Sequence, residues 1–190
     1  FSAVAVDPLR LCNPSDAGDE NPVMFATFFD EKFLLASGGR NHVKFWTAEG
    51  RCLNSRYPIV STTQPVGTLL CGTKHADTLA TGSTSGEILV WHGRKFDRRF
   101  RAHEKAIVCM HATANELVTG GKDGAIKVWS KGYEQIRSVN LLEAQLPPLS
   151  PAVRSVQAGI SRTDQGEMTT SVLAMAGSSE VYDIALQSGS

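Results

Sequence analysis

Excess charge of either sign is missing from this sequence: 19 Lys and Arg residues face 19 Asp and Glu residues among 190. A zero net charge removes the long-range attraction on which nucleic-acid binders and anionic-membrane binders depend. Neither partner is expected, and electrostatic recognition must be local. No apolar run approaches the ~20 residues that cross a bilayer, and no charged stretch followed by an apolar one marks a leader. The chain starts at Phe1 and not at Met, and reads as a piece of something longer. Cysteines are few and scattered, because Cys12, Cys52, Cys71 and Cys109 form no Cys-x-x-Cys pair. Small metal sites use close ligand pairs and disulfide scaffolds are cysteine-dense, so four reduced thiols, no metal, no cofactor and a cytosolic address are expected. The one Asn-x-Ser triplet, at Asn13, has Pro14 in the middle and cannot be glycosylated. Amphipathic helices long enough to cross over between parallel strands are also lacking, which argues against an α/β sheet.

What is present is repetition. Residues 34–46 read LLASGGRNHVKFW, residues 78–91 read TLATGSTSGEILVW and residues 116–129 read ELVTGGKDGAIKVW. Their tryptophans, Trp46, Trp91 and Trp129, lie 45 and 38 residues apart. Residues 172–184, VLAMAGSSEVYDI, keep the apolar run and the small-residue turn without the tryptophan, and read as a degenerate fourth copy. Each copy is a β-hairpin by local chemistry. Ser85-Gly86 and Asp123-Gly124 are turn pairs that tolerate positive φ, with Arg40-Asn41 in that place in the first copy, between runs rich in Val, Ile, Leu and Thr.

Strand side chains alternate, so Ile88 and Val90 point to one face of the second hairpin while Leu89 and Trp91 point to the other. Both faces are apolar. A sheet buried on both sides needs a similar sheet against each, which is the architecture of a β-propeller. The repeat length matches the WD repeat with four strands per blade. The expected fold is all-β: a WD-repeat propeller with about four blades of a larger ring. The blades fall near residues 23–56, 66–101, 106–140 and 153–187, with residues 1–22 as an outer strand or connector from a preceding blade.

His103, Thr119, Asp123 and Trp129 stand where WD repeats carry a structural hydrogen-bond chain, from indole through hydroxyl and imidazole to a turn carboxylate. Thr81 has the matching offset to Trp91, and Ser85 takes the place of the turn aspartate. A hydroxyl, an imidazole and a carboxylate also suggest a nucleophilic triad, but a strand-interior threonine without an oxyanion-hole loop does not fit that chemistry. Residues 67–74 resemble a phosphate loop with lysine and threonine in reversed order and no helix following, and this reading is set aside. Cys109 and His111 share one strand face, yet two ligands do not close a metal site.

Local charge gathers in one run. Arg94, Lys95, Arg98, Arg99, Arg101 and Lys105 lie close together against Asp97 and Glu104. A solvated outer strand that blocks edge pairing is the plain reading, and a contact for an acidic protein surface is the functional one. Asp16, Asp19 and Glu20 form an opposite cluster in an early loop, and further loops are expected at residues 146–151 and 161–170.

The runs Phe25-Ala-Thr-Phe28, Leu35-Ala-Ser-Gly-Gly-Arg-Asn-His-Val-Lys-Phe-Trp46, Thr81-Gly-Ser-Thr-Ser-Gly-Glu-Ile-Leu-Val-Trp91, Ala102-His-Glu104 and Thr119-Gly-Gly-Lys-Asp-Gly124 resemble the echinoderm microtubule-associated protein-like family. In that family, as here, the tryptophan is often followed by a residue other than aspartate. The resemblance implies tandem propellers, tubulin or microtubules as partner, a place on the cytoplasmic cytoskeleton or the ciliary axoneme, and no enzymatic activity. It would make the chain a rigid, non-catalytic docking surface for proteins. A generic WD-repeat adaptor serving a complex unrelated to tubulin is the alternative. Four open blades would also leave an apolar face bare at each end, which flanking sequence or a neighbouring chain is expected to cover.

Overall fold

In a computed structural model, residues 10–11, 21–29, 35–49, 52–60, 65–143, 150–162, 168–177 and 180–186 are described. Apart from a 3-10 turn at Leu141–Glu143, the elements among them are β-strands. The first sheet contains β1 (Arg10–Leu11), β2 (Val23–Phe28), β3 (Leu35–Gly39), β4 (His42–Glu49) and β5 (Cys52–Arg56) in the order β1-β5-β4-β3-β2. The second is the meander β6 (Leu69–His75), β7 (Thr78–Ser83), β8 (Glu87–His92) and β9 (Lys95–Arg101). The third repeats it with β10 (Ile107–Ala112), β11 (Leu117–Gly121), β12 (Ala125–Trp129) and β13 (Gln135–Asn140). The fourth sheet has three strands, β14 (Val153–Arg162), β15 (Met168–Ala176) and β16 (Glu180–Leu186). Four blades of a WD-repeat propeller stand in chain order.

The turn chemistry follows the sequence. Gly86 and Gly124 hold φ of 83° and 84° at the second turn of their blades, and Asn41 holds 59° where the first copy has no glycine. The first strand of every blade carries a register shift at the same place: Val23/Phe25, Leu69/Cys71, Ile107/Cys109 and Val153/Ser155. Such bulges sharpen the local twist of the strand they interrupt.

Blades stack through three apolar clusters, one per junction. Ala36, Val43 and Phe45 of the first blade meet Leu69, Leu79, Leu89 and Trp91 of the second. On its other face the second blade offers Cys71, Ala80, Ile88 and Val90 to Ile107, Leu117, Trp129 and Tyr133 of the third. The third then offers Val118, Ile126 and Val128 to Val153, Val156, Val172 and Ala174 of the fourth. Trp91 and Trp129 thus each face the preceding blade, while Val90 and Val128 beside them face the following one, in keeping with strand alternation. Fully burying Trp91 removes an apolar area that contributes roughly 4–6 kcal/mol as an upper bound. Phe45 and Phe96 pack edge-on against it, at centroid distances of 6.4 and 5.4 Å.

Large apolar side chains remain exposed on the first and last blades. Met24 and Phe28 belong to the strand that opens the first sheet, and Leu173, Met175 and Val181 to the last two strands of the fourth. Phe28 also lines a shallow apolar hollow with Ala26, Thr27 and Leu35.

Tryptophan latches and a candidate docking surface

The third blade brings His103, Thr119, Asp123 and Trp129 into one chain of hydrogen bonds. The indole Nε1–H of Trp129 donates to Thr119 Oγ1 at 2.9 Å, and His103 Nε2 lies 2.9 Å from that same hydroxyl. His103 Nδ1 is 3.1 Å from Asp123 Oδ1. The backbone amides of Glu104 and Ala125 donate to the two carboxylate oxygens at 2.8 and 3.1 Å. An ionised carboxylate accepts and cannot donate, so His103 carries its proton on Nδ1 and Thr119 donates to Nε2. Burial pushes the imidazole below its ordinary pKa although Asp123 pulls the other way. For Asp123, burial acts to raise the pKa, but His103 and the two amides outweigh it and hold the carboxyl low. The contact is therefore a hydrogen bond from a neutral ring, not an ion pair, at neutral pH. Gly121 makes room for it, since a Cβ there would sit 2.5 Å from His103 Nδ1.

The first and second blades keep the indole end of this chain. Trp91 donates to Thr81 Oγ1 at 3.0 Å, and Ser85 bonds to Ser83 and Glu87 in place of an Asp–His pair. Trp46 donates to Ser37 Oγ at 2.8 Å. Ser37 escaped the sequence reading. Its signal was there: a hydroxyl residue followed by glycine, nine residues before the tryptophan instead of ten. In the fourth blade the register puts Ala174 in the hydroxyl position and Ile184 in the indole position. Thr119 and His103 are almost fully buried, with no room for a substrate at the hydroxyl.

The near-motifs resolve simply. Most of residues 67–74 lie on β6, as an extended strand. Cys109 Sγ points at the carbonyls of Gly120 and Val153, and burial pushes its pKa up to about 12. His111 Nδ1 accepts the Ala158 amide at 3.1 Å, which bolts the third blade to the fourth. Among the described residues, no group of three potential ligands is placed to hold a metal.

The basic run divides by strand alternation. Arg99 faces the first blade's side, with Phe96 in the same cluster, and Arg98 faces the third. Arg94 donates to Tyr57 O at 3.0 Å, Arg98 to Gly132 O at 3.0 Å and Arg99 to Pro65 O at 3.4 Å. Arg101 donates to Glu104 O at 2.8 Å. Arg98 also lies over the Tyr133 ring. Lys95 and Lys105 are exposed, with no side-chain partner among the described residues. Asp16, Asp19 and Glu20 lie outside the described residues, as does most of the 146–151 loop, and of the 161–170 run no side chain is described.

The carbonyls of Tyr57 and Pro65 belong to the connector between the first two blades. Its residue Ile59 runs parallel to the start of β9: Ile59 N–H donates to Arg94 O at 2.8 Å, and Phe96 N–H to Ile59 O at 3.0 Å. Beside β5, β1 adds in the same parallel sense. A strap therefore crosses the outer edge of each of the first two blades.

Comparison with known proteins agrees with this geometry. The family model for the WD domain, G-beta repeat, matches residues 94–130, from the outer strand of one blade through the third strand of the next. Human echinoderm microtubule-associated protein-like 1 is 32% identical over 139 residues, which cover 68% of this chain and 17% of that protein. The mouse protein of that name is 30% identical over 155 residues, covering 76% of this chain and 18% of its own length. Mouse echinoderm microtubule-associated protein-like 2 is 26% identical over 128 residues. The chain thus spans less than a fifth of the first two relatives. In fold, it superimposes on a computationally designed protein, Ika4, with a TM-score of 0.63 at 18% identity, covering 89% of this chain and 94% of that one. U3-55K superimposes with a TM-score of 0.61 at 17% identity, covering 87% and 53%. The chain belongs to the WD-repeat β-propellers and is a relative of the echinoderm microtubule-associated protein-like proteins.

Proposed function

We propose that this chain is a non-catalytic docking segment of a microtubule-associated protein, working on the cytoplasmic cytoskeleton, the ciliary axoneme included. The observation that carries the reading is its likeness to relatives named for microtubule association, over most of its own length. The site chemistry supports a scaffold role, because the hydroxyl–imidazole–carboxylate chain of the third blade is closed over by packing and bonded to an indole. The perimeter of the second blade, with Arg94, Lys95, Arg98, Arg99, Arg101 and Lys105, would meet acidic tubulin surfaces through screened electrostatics. Further blades against the exposed apolar ends would complete the ring.

Co-sedimentation with assembled microtubules tests the reading. Binding that weakens as salt rises is expected. A chain that remains in the supernatant at low ionic strength overturns the microtubule assignment in favour of an adaptor for another complex.

A further inference from the structure

We infer that the strap at residues 56–60, laid across the outer edge of the second blade, is a docking surface for an acidic peptide bearing an apolar side chain. The inference rests on the docking reading above and names its site and ligand class.

Two apolar side chains stand out from a backbone that is held on both sides. Tyr57 is 60% exposed and Ile59 53% exposed. Arg94 binds the Tyr57 carbonyl, the parallel bridge to β9 takes both Ile59 backbone groups, and Pro58 between them fixes its own φ. The ammonium of Lys44, itself 3% exposed, sits 5.3 Å from the centre of the Tyr57 ring. One part of the ring therefore lies against a buried cation, leaving most of it in solvent. Side chains held in place before binding lose little conformational freedom when a partner covers them.

Charge selects the partner. Arg56 and Lys95 are exposed and flank the strap, and neither side chain has a partner among the described residues. Arg98, Arg99 and Arg101 differ, since each is bound to a backbone carbonyl of the protein. The nearby carboxylate of Asp97 is 3.8 Å from Arg98. Free cations beside an exposed aromatic and an exposed aliphatic side chain suit a peptide whose carboxylates flank an apolar residue. A neutral peptide would gain no steering, and a basic one would be repelled.

Fluorescence anisotropy with a labelled glutamate-rich peptide containing one phenylalanine, and with its serine counterpart, tests this. Reversing both free cations with Arg56→Glu and Lys95→Glu should weaken binding about tenfold at low salt and much less at high salt. Tyr57→Ser should abolish the preference for the phenylalanine peptide and leave the salt dependence unchanged. Lys122→Gln, which alters an exposed cation in the β11–β12 turn of the third blade, should stay within about twofold of the parent. All of these side chains are exposed, and an unchanged urea midpoint shows that each variant is folded. The inference is overturned if the parent does not bind the peptide, if the double reversal binds as the parent does, or if a single-stranded oligonucleotide binds more tightly. Co-sedimentation with microtubules that survives the double reversal sinks this site and leaves the microtubule reading standing. Peptide binding without co-sedimentation does the opposite.

Discussion

Ser37, Thr81 and Thr119 each accept an indole N–H, and the pairing explains what the fourth repeat has lost. Ala174 and Ile184 replace hydroxyl and indole together, so neither leaves a buried polar group without a partner. Removing one member is a different matter. Thr119→Val deletes a hydroxyl that serves both Trp129 and His103, and should cost about 2–4 kcal/mol in urea denaturation. Ser37→Ala should cost about 1 kcal/mol, since its half-buried tryptophan can turn to water. Equal midpoints for the two variants would refute this account. The tryptophans were legible because they end a repeated pattern. Ser37 was not, because its turn is one residue shorter and serine stands for threonine.

Connector length governs what happens between strands. Twelve residues separate β5 from β6, enough for Ile59 to cross the edge of β9, whereas five separate β9 from β10, and no such strap lies on β13 among the described residues. The basic run was legible as charge, but its distribution was not. Alternation sends neighbouring arginines to opposite sides of the sheet, and which carbonyls they meet depends on where the connectors travel. The turn glycines were read correctly from the dipeptides alone, because positive φ is a local property. Gly86 adds a tertiary demand: its carbonyl accepts the Ala102 and His103 amides, and a Cβ there would lie 2.6 Å from Lys105 O and press on His103 O. Gly86→Ala should therefore cost about 2–3 kcal/mol, above the ~1 kcal/mol of positive φ alone, and speed amide exchange at Ala102 and His103. Parent-like exchange at those amides would mean that the turn does not hold the connector.

Across the whole molecule, two histidines, His75 buried and His111 half-buried, tie the third blade to both neighbours. His75 donates from Nε2 to Ser130 O at 3.0 Å and packs edge-on against Tyr133, while its Nδ1 has no partner among the described residues. His111 accepts from the Ala158 amide of the fourth blade. Burial lowers the pKa of His75, His103 and His111 below the ordinary 6.5. The unfolded chain then takes up protons that the folded chain refuses, so their contribution is complete above about pH 6.5 and declines as pH falls below it. Asp123, held below 3.8, adds a further loss at more acid pH. The urea midpoint should be lower at pH 5.5 than at pH 7.5, with a smaller difference in a His75→Gln, His111→Gln double variant. A midpoint that does not move over this range would show that the rings do not report on folding.

The blades were written in local features of the chain: alternation on two apolar faces, turn residues that accept positive φ, and a tryptophan closing each of three hairpins. These are short-range properties, set by side-chain period and backbone sterics within a few residues. Tertiary structure settled which hydroxyl serves which indole, which carbonyl captures which arginine, and which exposed cations flank Tyr57 and Ile59. Those outcomes depend on segments far apart in the chain meeting at a blade edge, where a shift of one residue in register or connector length changes the partner.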